Sequence, residues 1–148
     1  MKIALITDQH FGIRNDNIKF IEYYKKFYKD IFFPTIEENN ITTIIDVGDS
    51  FDRRKYINYF SLQSAKEMFY DVLAQKNITL HSLVGNHNAY FKNTNECNSV
   101  ELLLKSYSNI TSYTNPAEIN IDGLDICMMP WINHENEQES LDLIKNTK

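Results

Sequence analysis

The sequence has 148 residues, 43% of them apolar, which suits one domain over residues 1–148 with a single packed core. Its formal net charge of −5 disfavours a protein that coats nucleic acid through long-range attraction, although clustered cation-binding acids would give the same number. We expect a cytoplasmic protein, because no segment reaches the roughly 18 apolar residues of a membrane span, the N-terminus is not typical of a signal peptide, and the two cysteines have no metal or disulfide spacing.

The first predicted element is a buried strand over residues 2–7, which runs directly into Asp8-Gln9-His10. Residues two apart point to the same side of an extended backbone, so Asp8 and His10 can bind one cation together. A carboxylate with an imidazole suits manganese, iron or zinc. Because an Asp-x-His triplet also arises by chance, the competing interpretation is a loop acid beside a surface histidine.

A second strand is predicted over residues 41–47, after an amphipathic helix over about residues 17–39 that Pro34 should kink or restart. Its β-branched run suits a strand covered on both faces, as in a parallel sheet. The run breaks at Gly48, where the backbone can turn. Asp49 therefore projects from the carboxyl edge of the sheet, where open α/β sheets place their ligands.

The third predicted strand repeats this pattern. Residues 61–75 form an amphipathic helix, and the strand over residues 78–84 stops at Gly85-Asn86-His87-Asn88. Three strand ends followed at once by potential ligands are much harder to obtain by chance than one. The pattern predicts a functional site rather than loop decoration.

The remaining elements complete a layered α/β fold with a late antiparallel part. We predict a short helix over residues 100–105 and a short strand over residues 110–113. A hairpin around Asp122-Gly123 is predicted over residues 117–129, and a final helix, capped by Asn133 or a neighbour, over residues 135–145. Of the two other histidines, His81 is expected to be a satisfied core residue and His134 a surface residue.

In order and spacing, the three motifs resemble the first three motifs of the calcineurin-like metallophosphoesterases, over nearly the whole chain. Within that superfamily the residues 51–54, 78–87 and 129–131 look most like SbcD-type DNA exonucleases, such as the recombination nuclease subunits of T-even-like phages. The resemblance implies a β-sheet sandwich flanked by helices, cleavage at DNA ends, two divalent ions such as Mn²⁺, and an SMC-like ATPase partner of the SbcC type. It leaves a homodimer open, and the compartment is the host cytoplasm if a phage encodes the chain.

The resemblance also implies a role for each motif residue. Asp8 and His10 become ligands of the first metal, Asp49 the carboxylate that bridges both metals, and Asn86 a ligand of the second. Two cations held this way would stabilise the attacking and departing oxygens of a phosphodiester. His87 becomes the catalytic histidine, since imidazole exchanges protons near neutral pH.

Four neighbouring residues are given supporting roles. Arg53 and Arg54 offer contacts to backbone phosphates without a means of reading bases. Asp52 is expected to orient a ligand or its loop. Asn88 stands where the family usually has an acid, and it is expected to position the His87 ring without stabilising its protonated form through charge.

The family's later motifs, a Gly-His and a Gly-His-x-His that supply further metal histidines, do not occur before Lys148. We therefore expect the second metal site to be incomplete within these residues, and this chain to lack the C-terminal part of the fold. Two alternatives to a DNA nuclease stay open: a small-molecule phosphoesterase on the same scaffold, and a non-catalytic fragment used in binding or assembly.

Overall fold

The computed structural model describes residues 2–147, in which four parallel strands form a sheet in the order β1-β2-β3-β4. These strands are Ala4–Ile6, Thr43–Asp46, Thr79–Leu83 and Ile110–Tyr113. Ile6 lies opposite Asp46, and Asp46 lies opposite Ser82. The carboxyl ends of the first three strands are therefore neighbours at one edge of the sheet.

Helices cover one face of this sheet. Helix α1 runs over Ile18–Phe27 and Phe33–Glu38, with a π-helical turn at Tyr28–Phe32 between them. Helix α2 runs over Tyr59–Ala65 and Asp71–Gln75, with a second π-helical turn at Lys66–Tyr70 between them. Helix α3 is Ser99–Leu104. Because successive right-handed crossovers step across the sheet in one direction, these helices share a face. Their apolar side chains form one core cluster with Ile44 of β2 and Leu80 of β3.

A hairpin covers the opposite face. Its strands β5, Ala117–Ile121, and β6, Leu124–Met128, are antiparallel, and a smaller core of Ile45, Leu83 and Met128 joins them to the sheet. Helix α4, Glu137–Asn146, follows. The predicted layered α/β fold is confirmed, with element ends within about two residues of expectation. None of the helices described within residues 2–147 has the length and apolar character that a membrane span requires.

Of the predicted kink or restart at Pro34, the structure shows a restart: a new α-helical segment begins at Phe33, without a gap in α1. The Phe33 N–H donates to the carbonyl of Tyr28, five residues back, so the helix carries one extra residue just before the proline. Pro34, which has no N–H, then occupies the first turn of the next α-helical segment. The backbone stays helical throughout, and the wider turn takes up the disturbance.

Candidate metal centre and active site

The candidate site lies where β1, β2 and β3 end side by side. Asp8 follows β1, Asp49 follows β2 and Asn86 follows β3. Main-chain hydrogen bonds join the first two loops: the Asp8 N–H donates to the Gly48 carbonyl at 3.0 Å, and the His10 N–H donates to the Asp49 carbonyl at 2.9 Å. The structure thus places the three predicted strand-end motifs at one edge of the sheet.

Asp8, His10 and Asp49 form a compact group of possible metal ligands. Each offers one donor atom, and these atoms lie within 4.8 Å of one another. His10 Nε2 is 3.3 Å from Asp8 Oδ1. Two carboxylates and one imidazole are a donor set that divalent transition metals accept, so the residues present fit a cation such as Mn²⁺.

Thr7 prepares the Asp8 carboxylate for this role. Its hydroxyl donates to Asp8 Oδ2 at 2.7 Å, and this hydrogen bond, followed by the neighbouring His10, lowers the pKa of Asp8. The carboxylate is therefore ionised at neutral pH, which is the form that binds cations.

Asp52 lies against the ring of His10. Its Oδ1 is 3.4 Å from His10 Nδ1, a buried atom that makes no hydrogen bond within residues 2–147. His10, Asp52 and His87 also form a second group of possible ligands within 4.8 Å. The rings of His10 and His87 meet edge to face, with centroids 4.7 Å apart. Asp52 thus lies beside one of the predicted ligands, and its role in orienting that ligand stays a prediction.

A main-chain carbonyl fixes the ring of His87. Its Nδ1 lies 2.5 Å from the carbonyl oxygen of Asp52. Since a carbonyl only accepts hydrogen bonds, Nδ1 carries the proton of this bond, and Nε2 is the nitrogen left for a substrate. This differs from the expectation that Asn88 positions the imidazole.

Asn88 instead ties the second and third loops together. It is fully buried, and its Oδ1 accepts from the N–H of Asp49 at 2.9 Å and of Gly85 at 3.0 Å. Its Nδ2 donates to Ser99 Oγ at 3.1 Å, at the start of α3. In the same loop the His87 N–H donates to Asp49 Oδ1 at 2.8 Å. The Asp49 carboxylate is therefore held by the backbone of the neighbouring motif.

Two glycines let these loops approach closely. A Cβ built on Gly85 would lie 2.2 Å from Asp49 Oδ1 and 2.5 Å from the Asp49 nitrogen, which no real side chain allows. A Cβ on Gly48 would lie 3.0 Å from Gly85 Cα, and Gly48 has φ of +114°. The two glycines are therefore required by the position of Asp49 itself.

Three of the predicted ligands have a left-handed backbone. The φ angles are 53° at Asp8, 46° at His10 and 57° at Asp49. Each such residue costs roughly 1–3 kcal/mol, and such strain concentrates at functional sites. Six other non-glycine residues of the described chain, among them Asn40 and Asn77, share this conformation, so it helps to shape these loops but does not by itself mark a functional site.

A buried carboxylate below the loops was not singled out from the sequence. Asp46, at the end of β2, accepts hydrogen bonds from the Ser50 hydroxyl at 2.7 Å, from Gln9 Nε2 at 3.1 Å and from the Gly48 N–H at 3.1 Å. Gln9 in turn accepts from the Tyr28 hydroxyl. Burial raises the pKa of Asp46 to about 6. The sequence feature that could have indicated this buried carboxylate is the position of Asp46 at the end of a β-branched run.

The two predicted phosphate-binding arginines differ in their surroundings. Arg53 forms an ion pair with Asp16 at 2.7 Å and a hydrogen bond to Asn15, so its guanidinium is already occupied. This differs from the expected contact with a substrate. The Arg54 guanidinium lies over the ring of Trp131, 4.7 Å from its centroid.

An open cleft of about 220 Å³ is lined by the two carboxylates of the ligand group, Asp8 and Asp49, whereas His10 is not part of its lining. One wall carries Asp8, Asp49 and Asn86, and the segment after β6 forms the other wall, with Met129, Pro130 and Trp131. A phosphate group has room between these walls.

The two spare histidines lie outside this cleft. His81 Nδ1 is 2.7 Å from the Tyr113 hydroxyl, and burial lowers the pKa of His81, which favours its neutral form. It is the satisfied inner residue that was expected. His134 is exposed. Within the described chain neither belongs to a group of possible ligands.

Comparisons with known proteins agree with the metal-ligand geometry of the site. Residues 1–146 match the family described as calcineurin-like phosphoesterase. The chain is also 36% identical over 150 residues to exonuclease subunit 1 of enterobacteria phage T4, a match that covers 99% of this chain and 43% of the relative. The chain thus spans less than half the length of that relative.

One solved structure is also similar. It is the crystal structure of a protein of unknown function from Aquifex aeolicus, aligned over 97% of this chain and 69% of its own length, with 18% identity and a TM-score of 0.44.

Proposed function

Because the chain belongs to the calcineurin-like phosphoesterase family, we propose that it is a metal-dependent phosphodiester hydrolase that acts on DNA ends. The observation that carries this proposal is the convergence of Asp8, His10 and Asp49, with His87 directly beside them. The name of the phage relative, an exonuclease subunit, supports a nuclease over a phosphatase.

The proposed metal ligands follow the geometry of the cleft. Asp8 and His10 would hold a first divalent ion, Mn²⁺ in our proposal, Asp49 would serve as a ligand of both ions, and Asn86 would offer its side-chain carbonyl oxygen to a second ion. When bound, the ions would supply positive charge that polarises the phosphate and stabilises the oxygens entering and leaving phosphorus. Thr7 holds the Asp8 carboxylate through a hydrogen bond, and the backbone of the third loop keeps Asp49 in place.

His87 is proposed as the proton donor. With Nδ1 held by the Asp52 carbonyl, its protonated ring presents Nε2–H to the substrate. As the bond between phosphorus and the leaving oxygen breaks, that proton passes to the leaving oxygen and the ring becomes neutral. Arg54 is proposed to contact a substrate phosphate, while Arg53 holds its loop through Asp16.

The proposed partners follow from the relative's name and from the resemblance of the motifs. A subunit works in a complex, and we propose an SMC-like ATPase of the SbcC type as the partner, in a DNA recombination or repair pathway inside a phage-infected cell. A homodimer is part of the same proposal.

Manganese titration calorimetry together with hydrolysis of a small phosphodiester and of a DNA oligonucleotide tests this function. Asp49→Ala should abolish hydrolysis and the tight binding of Mn²⁺, because it removes the shared carboxylate. Asp30→Ala, which removes an exposed carboxylate from α1, is the matched control and should behave as wild type.

Equal titrations for wild type and Asp49→Ala would refute the metal assignment. Hydrolysis of the small diester without cleavage of DNA would instead favour the small-molecule phosphoesterase.

A further inference from the structure

A patch of aromatic and basic side chains lies beside the candidate site. Arg54, Lys55 and Tyr56 follow the second motif, and Tyr90 and Phe91 follow the third; we call these five residues the aromatic–basic patch. The two loops meet, since the Lys55 ammonium is 5.9 Å from the centroid of the Tyr90 ring. Between them lies a depression of about 150 Å³.

The rings of the patch are exposed rather than part of the core. Tyr56, Tyr90 and Phe91 are 66%, 39% and 51% exposed, whereas Phe51 and Phe69 in the core are at most 2% exposed. Tyr90 and Phe91 contact each other edge to face at 4.7 Å. Arg53 lies over Tyr56, 5.0 Å from its centroid, and Lys55 lies near Tyr90, so contacts within this chain cover part of these rings and leave the rest exposed. The exposed ring surface suits a ligand with apolar, planar surfaces.

Arg54 connects the patch to the cleft that holds the proposed metal ligands. It lines the depression, and its guanidinium lies over Trp131, which lines the cleft. Its Nη1 is buried and has no hydrogen-bond partner within residues 2–147. Tyr90 follows His87 by three residues, a span of at most about 11 Å. A ligand on the patch therefore lies next to the proposed reaction centre.

We propose that the aromatic–basic patch binds single-stranded DNA, with unpaired bases stacked on Tyr56, Tyr90 and Phe91 and phosphates contacting Arg54 and Lys55. Stacking needs an open base face, which a duplex covers on both sides. The placement of the bound strand relative to the cleaved bond rests on the proposed function. A DNA end thus enters the site as a frayed, unpaired strand.

The charges around the patch fit a polyanion held by few contacts. Within the described residues, ion pairs engage Arg53 and Lys76 but neither Arg54 nor Lys55. Besides the proposed ligand Asp49, the acids of the two loops are Asp52, which lies against His10, and Glu96, which is exposed. With two cations available, the logarithm of the binding constant should fall with the logarithm of salt concentration with a slope of only about −1.4.

Fluorescence anisotropy with labelled oligothymidylate, compared with a blunt hairpin duplex, tests the proposal. Binding is measured in EDTA, so it does not depend on metal or hydrolysis. The single strand should bind more tightly than the hairpin. Replacing Tyr56 and Tyr90 together by leucine should weaken oligothymidylate binding by about fivefold or more for each ring lost, whereas replacing both by phenylalanine should leave binding close to wild type.

Tyr23→Leu is the matched control, because Tyr23 is 73% exposed on α1, away from the patch. It should bind as wild type, and all variants should unfold at the same urea concentration as wild type. Equal affinity for hairpin and single strand, unchanged binding by the leucine variant, or an equal loss in Tyr23→Leu would each overturn the proposal. If wild type does not hydrolyse the diester, the proposed function is refuted, but these binding results do not change.

Discussion

The buried carboxyl of Asp46 should make the stability of this protein depend on pH in a specific direction. Burial raises its pKa in the folded state to about 6, from 3.8 for a free side chain. A raised pKa means that the folded state binds the proton more tightly than the unfolded state does. The stabilising contribution is therefore complete below about pH 4 and is lost as the pH rises through 6.

The magnitude follows from the shift. Roughly two pKa units at 1.36 kcal/mol each give about 3 kcal/mol over the whole range. Between pH 7 and pH 5, where the folded state takes up most of the proton, the change is about 1 kcal/mol. Asp46→Asn removes this titration and keeps an amide oxygen that can still accept from the Gly48 N–H.

Urea unfolding of wild type and Asp46→Asn, followed by circular dichroism in EDTA at pH 5, 6 and 7, measures the effect. All other titrating groups are shared, so the difference in unfolding free energy between the two proteins isolates Asp46. Wild type should gain about 1 kcal/mol relative to the variant as the pH falls from 7 to 5. Exposed Asp30→Asn should run parallel to wild type. Parallel profiles for Asp46→Asn and wild type would refute the reasoning.

Three further substitutions test the loops. Gly85→Ala should destroy manganese binding in calorimetry, because its methyl group would overlap Asp49. Gly123→Ala, with open space around it, should cost only about 1 kcal/mol in urea unfolding. If the two substitutions had equal effects in these assays, the close contact between Gly85 and Asp49 would be contradicted. Asn88→Ala leaves the N–H groups of Asp49 and Gly85 unpaired and should lower the unfolding free energy by roughly 2–4 kcal/mol. A change below about 0.5 kcal/mol, the scatter of surface substitutions, would show that water replaces the amide. His87→Ala should slow diester hydrolysis by about 10²–10⁴-fold while manganese still binds; loss of the metal would make His87 a ligand instead.

The meeting of the three motifs was predictable from the sequence for a physical reason. Parallel strands end at one edge, so a residue that directly follows each strand is brought to a common place whatever the loops do afterwards. Asp8, Asp49 and Asn86 each satisfy that condition. Their identity as polar residues behind apolar strands was enough to predict a site.

What could not be predicted depends on loop conformation. Asn88 and Arg53 stand five and seven residues beyond a strand end, whereas Asp49 and Asn86 stand only three beyond. The partners of Asn88 and Arg53 are set by left-handed and turned backbone that has no period in the sequence. The π turns escape prediction for a related reason, since one extra residue in a turn only shifts the apolar stripe slightly. Asp46 was overlooked because a buried acid depends on Ser50 and Gln9, which belong to different motifs.

The contact between Gly48 and Gly85 also limits how the metal preference of such a site can change. The spacing of the loops that carry Asp49 and Asn86 is set where two main chains touch, and no side chain separates them. A point substitution there can neither widen nor narrow the spacing, because a larger residue at Gly85 collides with Asp49 and one at Gly48 presses on the backbone of Gly85. Selection for another ion would therefore act on the donor atoms, for example by exchanging His10 or Asn86, while the scaffold keeps its dimensions.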